Sequence, residues 1–245
     1  MLTPQQQHAI KQSTTALRVR LQALLQSKTV RLNQTGYRGR LDTHNLHRLA
    51  TANPKVFRRK TYRQGLNTAV HILLDTSGSM HGSAIEVACN ACFTLAASLS
   101  FIPGVSVAVT AFPGDPIPAS SGLDARDTVA PVLSFDGSMH NRFVMNASGS
   151  TPLAPALWWT LVQMQSVPQE RKIILLITDG EPDSKVAVKT ALQTINAQGI
   201  EVYGIGINIG SIRTLLPKTS VVINDIQSLP NAMFSLLQKA MLSIG

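Results

Sequence analysis

Residues 69–79 read AVHILLDTSGS, an apolar run that ends in a carboxylate and a cluster of hydroxyl groups. The run at 69–74 has the length of a strand, and its lack of alternating polar residues predicts a strand buried on both faces. Strands of that kind belong to parallel sheets that helices cover. Asp75, Ser77 and Ser79 therefore follow the carboxyl end of a sheet strand, which is where α/β proteins bind their ligands.

The chain downstream of this strand alternates apolar strands with helices. The alternation predicts an α/β fold with a doubly wound, mostly parallel sheet. We expect the segment at 129–135 to form a strand at the edge of that sheet. Further strands are predicted at 105–112, 172–178, 200–207 and 219–223, and helices at 82–101, 152–166, 184–198 and 227–242.

Residues 1–67 differ from the rest of the chain in charge. They contain thirteen Lys and Arg residues and one acid, Asp42, so their net charge is +12. The remaining residues carry nine bases and twelve acids, a net charge of −3. We therefore expect two parts, a basic N-terminal extension at 1–67 and the α/β domain at 68–245.

The extension is expected to be largely helical. Apolar residues at helical spacing predict an amphipathic helix over residues 4–28. A turn-rich stretch at 33–40 follows, and Asp42 is placed to cap a short helix. Val56 opens an extended segment rich in arginine.

Composition limits the classes of function. With 44% hydrophobic and 14% charged residues, the chain is globular and neither a disordered tail nor a coiled coil. Its two cysteines exclude a disulfide-rich secreted scaffold. Residues 1–12 lack the apolar run of a secretory signal, and the apolar stretches are too short or too broken for a transmembrane helix. We therefore expect a cytoplasmic protein that does not use a membrane.

Oxygen-bearing side chains follow three separate elements. Besides the loop with Asp75, Ser77 and Ser79, Thr151 opens a helix and Asp179 follows the strand at 172–178. If they converge, their hard oxygen ligands suit Mg²⁺ or Ca²⁺, with Mn²⁺ as a further candidate. Because neither sulfur nor imidazole belongs to the set, zinc is disfavoured. The alternative is a group of turns whose Ser and Asp side chains only cap loops and helices.

These residues make the chain resemble the von Willebrand factor A family, whose metal-ion-dependent adhesion site has the pattern DxSxS, a distant Thr and a distant Asp. The resemblance covers about residues 69–242 and implies a Rossmann-like fold. It implies that the serines bind the metal directly, the threonine directly or through water, and the acids often through water. It further implies that an open coordination position accepts a carboxylate from a partner protein. The implied ligands are Asp75, Ser77, Ser79, Thr151 and Asp179.

The junction between the two parts is similar to the carboxyl-terminal region of the cobaltochelatase CobT subunits, in which a basic segment precedes the same domain. The similarity rests on Gly39-Arg40-Leu41-Asp42 with Leu46, Val56-Phe57-Arg58-Arg59, and Thr68-Ala69-Val70 leading to Leu74-Asp75. This resemblance implies an AAA+ ATPase partner of the MoxR/CobS kind. It also implies a non-catalytic role within an ATP-dependent complex.

The basic extension points to an acidic partner. Nine of its thirteen bases are arginines, which suit bidentate contacts with carboxylate or phosphate. We favour an acidic protein surface, and the alternative is a nucleic-acid-associated protein. A metallohydrolase would need a general base, for which only Glu181 remains, so we expect no enzymatic activity of the chain alone. Candidate partner-binding residues are Glu181, Arg38, Arg40, Arg58 and Arg59.

Other signals have structural interpretations. Cys89 and Cys92 form a C-x-x-C pattern in the middle of a predicted helix, which favours buried core thiols over a redox or zinc site. Gly204-Ile205-Gly206 lacks the spacing of a dinucleotide fingerprint and is interpreted as a strand end. His71 is expected to be a hydrogen-bonded core residue. Asp183 either caps the helix that follows or, like Glu181, tunes the metal or a docking rim, and the pair Trp158-Trp159 predicts one partly exposed indole.

Overall fold

The structure is a computed structural model that describes residues 31–36, 40–41, 56–62, 67–114, 129–140 and 143–242, together with Val19 and Thr51. The strands among these residues belong to two compact units. One lies within Gln22–Leu66, and the other, which contains the α/β fold, runs from Asn67 onward.

The described part of the first unit is a three-stranded antiparallel sheet of β1 (Arg31–Gly36), β2 (Arg40–Leu41) and β3 (Phe57–Tyr62), with β3 in the middle. The extended segment expected after Val56 is confirmed as β3. The turn-rich stretch expected at 33–40 is wrong over its first half, because β1 pairs with β3 along its whole length. That pairing overrides the local turn preference of its Asn and Gly residues.

Two further expectations for the extension concern helices. Of the helix over residues 4–28, the structure describes only Val19, which is helical. The short helix after Asp42 lies outside the described residues. What the structure describes of residues 31–62 is therefore mainly β-sheet, where a largely helical extension was expected.

The second unit is the predicted α/β fold. A short helix at Ile212–Leu215 and two 3₁₀ turns, Gly78–Met80 and Ile226–Ser228, were not predicted. The strands are β4 (Thr68–Asp75), β5 (Val105–Phe112), β6 (Ala130–Leu133), β7 (Arg171–Thr178), β8 (Glu201–Ile207) and β9 (Ser220–Ile223). The helices are α1 (Ser83–Ser100), α2 (Leu153–Ser166), α3 (Lys185–Ala197), α4 (Ile212–Leu215) and α5 (Leu229–Leu242).

The six strands form one sheet in the order β6-β5-β4-β7-β8-β9, and β6 is the antiparallel edge strand. All other neighbouring strands are parallel. This confirms the doubly wound, mostly parallel sheet and the edge position of the strand near residue 130. The direction in which strands are added reverses between β4 and β7, and such a reversal opens a crevice at the carboxyl ends of the two strands.

Helices cover both faces of the sheet, which explains why every residue of β4 is buried. On one face, α1 packs against α5 and β5; elsewhere α2 packs against α3 and β4. Leu73, Leu157 and Ile195 belong to the buried apolar cluster between α2, α3 and the sheet. By length and composition alone, α1 would pass for a membrane span, but 61% of it is buried inside the fold. Its apolar face is therefore accounted for by packing in the core.

Candidate metal site

The predicted ligands lie at the crevice between β4 and β7. Asp75 is the last residue of β4, and Asp179 directly follows the last residue of β7. Thr151 lies two residues before the start of α2. Backbone hydrogen bonds from Gly78 N to Gly149 O, 3.1 Å, and from Ser148 N to Thr76 O, 2.9 Å, attach the Thr151 loop to the loop after β4.

Hydrogen bonds connect four of the five predicted residues. The Ser77 amide donates to Asp75 Oδ1 over 2.9 Å, and the hydroxyl oxygens of Ser77 and Ser79 are 3.1 Å apart. Ser79 in turn donates its hydroxyl hydrogen to Asp179 Oδ1 over 2.6 Å, although the two residues are 100 positions apart in sequence. The loops therefore meet, as the parallel strand order predicts.

The fifth residue joins the group beside Gly180. A Cβ atom at position 180 would lie 2.6 Å from Thr151 Oγ1 and 3.6 Å from both Asp75 Oδ2 and Ser77 Oγ. The missing side chain thus leaves a space that oxygens of three predicted ligands border. The structure brings all five residues together, and coordination of a metal by them stays a prediction.

The electrostatics of the site favour a bound cation. Asp75 is completely buried, and burial raises the pKa of its carboxyl to about 6 against the opposing effect of hydrogen bonds from Thr178 and Ser77. Burial also raises the pKa of Asp179, while the hydrogen bond from Ser79 lowers it. Neither carboxylate forms an ion pair with a Lys or Arg among the described residues. A divalent cation would supply the missing positive charge.

The donor set fits a hard cation. It consists of carboxylate and hydroxyl oxygens, the ligands that Mg²⁺, Mn²⁺ and Ca²⁺ prefer. Within the described part of the chain, no three His, Cys, Asp or Glu side chains gather into the kind of cluster typical of zinc. The hydroxyl of Ser150, next to Thr151, is buried and has no hydrogen-bond partner, so the loop holds one further unused oxygen.

The contributions of Thr178 and Gly180 to the site were not predicted from the sequence, nor was the contact that Asp183 makes there. Thr178 donates its hydroxyl hydrogen to Asp75 Oδ2, and Gly180 makes room beside Thr151 Oγ1. Asp183 does not cap α3: the cap is Ser184, whose hydroxyl accepts from Ala187 N. Asp183 instead bonds to the backbone of Thr151. The sequence signal for Thr178 and Gly180 was only their position at the end of β7, and for Asp183 it was the neighbourhood of Asp179.

The candidate partner-binding residues fall into two groups. Glu181 is exposed near the metal site and forms an ion pair with Lys185, 2.5 Å between Oε2 and Nζ, and the hydrogen bond from that lysine lowers the pKa of Glu181. Arg40 and Arg58 are directly opposite each other in the pairing of β2 with β3. Arg59 is the next residue in β3 and is paired with Gln34 of β1, and Arg38 lies outside the described residues.

The structural interpretation of the cysteines is confirmed. Cys89 and Cys92 are 4% and 0% exposed in the buried face of α1. Burial raises the pKa of the Cys89 thiol to about 11, and burial also raises the pKa of the Cys92 thiol well above its usual value. Neither thiol has the thiolate character of a redox or metal-binding cysteine.

The interpretations of the glycine pair, the histidine and the tryptophans also agree with the structure. Cβ atoms at Gly204 and Gly206 would lie within 2.9 Å of residues in and around α4, so close packing explains these glycines. The ring of His71 is buried, with Nε2 2.9 Å from Thr110 Oγ1. The ring of Trp159 packs edge-on against it, whereas Trp158 is 41% exposed.

Comparison with solved structures supports the fold. The chain is similar to proximal thread matrix protein 1 from the mussel byssus with a zinc-occupied MIDAS motif, at 14% identity and a TM-score of 0.56, over 72% of this chain and 46% of that one. It is similar to the PilB minor pilin of Streptococcus sanguinis, at 16% identity and a TM-score of 0.55, over 74% of this chain and 63% of that one. The third similar structure is manganese-loaded TRAP protein of Plasmodium vivax, at 14% identity and a TM-score of 0.52, over 71% of this chain and 73% of that one.

The chain thus spans about half of the byssus protein and less than two thirds of the pilin. A search of curated protein sequences found no match. The sequence profile of the von Willebrand factor type A domain matches residues 69–238, which is more than half of the chain and contains all five residues of the candidate metal site. The chain therefore belongs to the von Willebrand factor type A domain family.

Proposed function

We propose that this chain is a metal-dependent protein-binding module, an adaptor and not an enzyme on its own. In this proposal Asp75, Ser77, Ser79, Thr151 and Asp179 hold a divalent cation, Mg²⁺ in the cell and Mn²⁺ or Ca²⁺ as substitutes. The cation supplies a Lewis-acidic position for an acidic side chain of a partner protein. The chain's own residues bind the ion, orient it and leave one side of it open.

The observation that carries the proposal is the pairing of two carboxylates without a basic partner among the described residues. A buried carboxylate is costly unless a charge or several hydrogen bonds compensate it. Asp75 receives hydrogen bonds from Thr178 and Ser77, yet its pKa remains raised. A divalent cation between Asp75 and Asp179 would balance the two negative charges. The hydroxyl ligands add no charge of their own.

Burial varies across the site in the way that partner binding needs. Asp75 and Ser77 are buried at its floor, whereas Ser79 is exposed and Asp179 is half-buried. A cation held by these residues would have protein oxygens below it and solvent above it. With the charges of Asp75 and Asp179 balanced, the ion can accept a further carboxylate from outside. The zinc-occupied MIDAS of the byssus protein and the manganese-loaded TRAP protein support a divalent cation as the ligand.

The resemblance to CobT subunits supports a more specific partner, an AAA+ ATPase of the MoxR/CobS kind. In this extended proposal the cytoplasmic complex remodels or activates a third protein. The net charge of +12 on residues 1–67 supports an additional contact with an acidic surface of the partner. The alternative, that the extension binds nucleic acid, rests on the same charge and predicts binding that does not need metal.

A pull-down of the full chain against an AAA+ ATPase of the MoxR/CobS kind tests this proposal. We expect binding that chelator abolishes and that Asp179→Ala weakens at every salt concentration. Replacing Arg38, Arg40, Arg58 and Arg59 by glutamine should weaken binding mainly at low salt, because salt screens exposed charges. Binding that ignores both chelator and salt would contradict the proposal. Tight, steeply salt-dependent binding to DNA or RNA in the presence of chelator would favour the alternative.

A further inference from the structure

We infer that Asp183 is a positioning residue of the metal site, which holds the Thr151 hydroxyl at the cation by fixing the backbone of Thr151. The inference rests on the metal site of the proposed function and adds a residue that does not touch the metal. It concerns the loop before α2 and the loop between β7 and α3.

Two hydrogen bonds join Asp183 to a single residue. The Thr151 amide donates to Asp183 Oδ1 over 3.3 Å, and the Asp183 amide donates to Thr151 O over 3.2 Å. Both backbone polar groups of Thr151 are thus bonded to Asp183. Among the described residues, no other hydrogen bond links the Thr151 loop to the loop that carries Asp179. This pair of bonds is therefore the direct hydrogen-bonded link between the loops of these two predicted ligands, beside the indirect route through the loop after β4.

Within its own segment, the carbonyl of Thr151 also accepts a backbone hydrogen bond from Leu153 N over 2.8 Å, whereas its amide donates to Asp183. Gly149 has a φ of +79°, in the region that favours glycine, and Pro152 is the N-cap of α2 without a side-chain capping bond. Backbone hydrogen bonds of Gly149 and Ser148 attach the Thr151 loop to the loop after β4. Asp183 supplies the attachment on the side of Asp179.

The Thr151 hydroxyl has little room to shift. Its oxygen would be only 2.6 Å from a Cβ atom at Gly180, so it fills the space that this glycine leaves. A shift of a few tenths of an ångström would change its distance to a cation shared with Asp75 and Ser77. Residues that orient a metal ligand in this way typically contribute 10-fold to 100-fold in metal affinity.

The test measures Mn²⁺ affinity and amide exchange in the full chain. We expect Asp183→Ala to weaken Mn²⁺ binding, measured by electron paramagnetic resonance, by about tenfold. In the metal-free protein the same variant should lose hydrogen-exchange protection at the Thr151 amide, whose acceptor it removes. Asp183→Asn keeps an acceptor oxygen and should restore both. Asp225→Ala is the matched control, because Asp225 accepts a similar backbone bond from Gln227 N away from the site.

Each alternative outcome is informative. If the parent protein binds Mn²⁺ and Asp183→Ala binds it equally well, the inference is wrong and the metal site stands. If Asp183→Asn is as weak as Asp183→Ala, charge and not the hydrogen bond acts on the cation, which also overturns the inference. If the parent protein binds no Mn²⁺, the metal site of the proposed function fails and the inference fails with it. Because Asp183 is exposed, we expect the melting temperature of the metal-free variants to stay close to that of the parent.

Discussion

Thr178 donates its hydroxyl hydrogen to Asp75 Oδ2 over 2.5 Å, so a side-chain bond joins the last residues of the neighbouring strands β7 and β4. The hydroxyl oxygen of Thr178 in turn accepts from the Gly180 amide over 3.2 Å. The other carboxylate oxygen of Asp75 accepts from Ser77 N. Both oxygens of a completely buried carboxylate are thus fixed before any cation binds. The site is pre-organised by groups that belong to the sheet and to the loops next to it.

Thr178→Val removes this hydroxyl at nearly constant volume. We expect the variant to bind Mg²⁺ about tenfold more weakly, because Asp75 loses one of the groups that orient it. The free energy of unfolding should fall by about 2 kcal/mol, the usual contribution of a buried hydrogen bond to a charged group. Thr160→Val is the control: Thr160 is equally buried, but its hydroxyl bonds to Ala156 O within α2. Equal metal affinity in the two variants would contradict this role of Thr178.

Gly180→Ala should block the site without changing any predicted ligand. The new methyl group would meet Thr151 Oγ1 at 2.6 Å, so either the hydroxyl or the loop must move. We expect Mg²⁺ affinity to fall by at least tenfold in calorimetric titrations. Gly210→Ala is the matched control, since a Cβ atom there meets nothing within 4 Å. An alanine at 180 that leaves the affinity unchanged would show that Thr151 does not bind the cation.

The burial of the His71 ring predicts that the folded protein loses stability in acid. Burial lowers the pKa of its imidazole from 6.5 to about 3, so the folded chain keeps the ring neutral while the unfolded chain takes up a proton below pH 6.5. The stability that His71 contributes is therefore complete above pH 6.5 and lost as the pH falls towards 3. Between pH 7 and pH 5 this loss amounts to about 2 kcal/mol.

The measurement compares urea unfolding of the parent protein and of His71→Gln at both pH values. Asp75 shifts stability in the opposite direction, because its raised pKa lets the folded state bind a proton first. That contribution is common to both proteins and cancels in the difference. We expect the parent to lose about 2 kcal/mol more than the variant between pH 7 and pH 5. An identical loss in both would show that His71 is protonated in the fold.

Cys89 and Cys92 should be inert in the native protein. Both thiols are buried in α1, and burial raises the pKa of Cys89 to about 11. We expect labelling by a thiol reagent at pH 7.5 to be slow and to speed up in denaturant, because the reagent needs the chain to open. Rapid labelling of both thiols without denaturant would contradict the core assignment of this helix.

The sequence predicted the α/β fold well because its signals are local. The apolar run of β4 and the polar turn residues after it identify a central strand. The alternation of apolar strands and helices downstream determines the fold class. Four of the five candidate ligands could be predicted because parallel strand order brings the loops after β4 and β7 to one edge, whereas Thr151 was predicted from its place before a helix and from the family pattern. Their loops did not need to be known in detail.

The missed features depend on contacts between distant residues. The bond from Thr178 to Asp75 spans 103 positions, and the bond from Thr151 to Asp183 spans 32; neither follows from local propensity. Strand β1 was missed for the same reason, since its Asn and Gly residues favour turns and only the pairing with β3 makes it a strand.

The most direct test of the central claim is a calorimetric titration of Mg²⁺ into the metal-free parent protein and into Asp75→Ala. The account predicts one binding site in the parent protein and binding at least 100-fold weaker in the variant, because Asp75 is the buried carboxylate at the centre of the oxygen set. Circular dichroism should show that both proteins are folded. A parent protein that binds no divalent cation, or an Asp75→Ala variant that binds Mg²⁺ as tightly as the parent, would contradict the account.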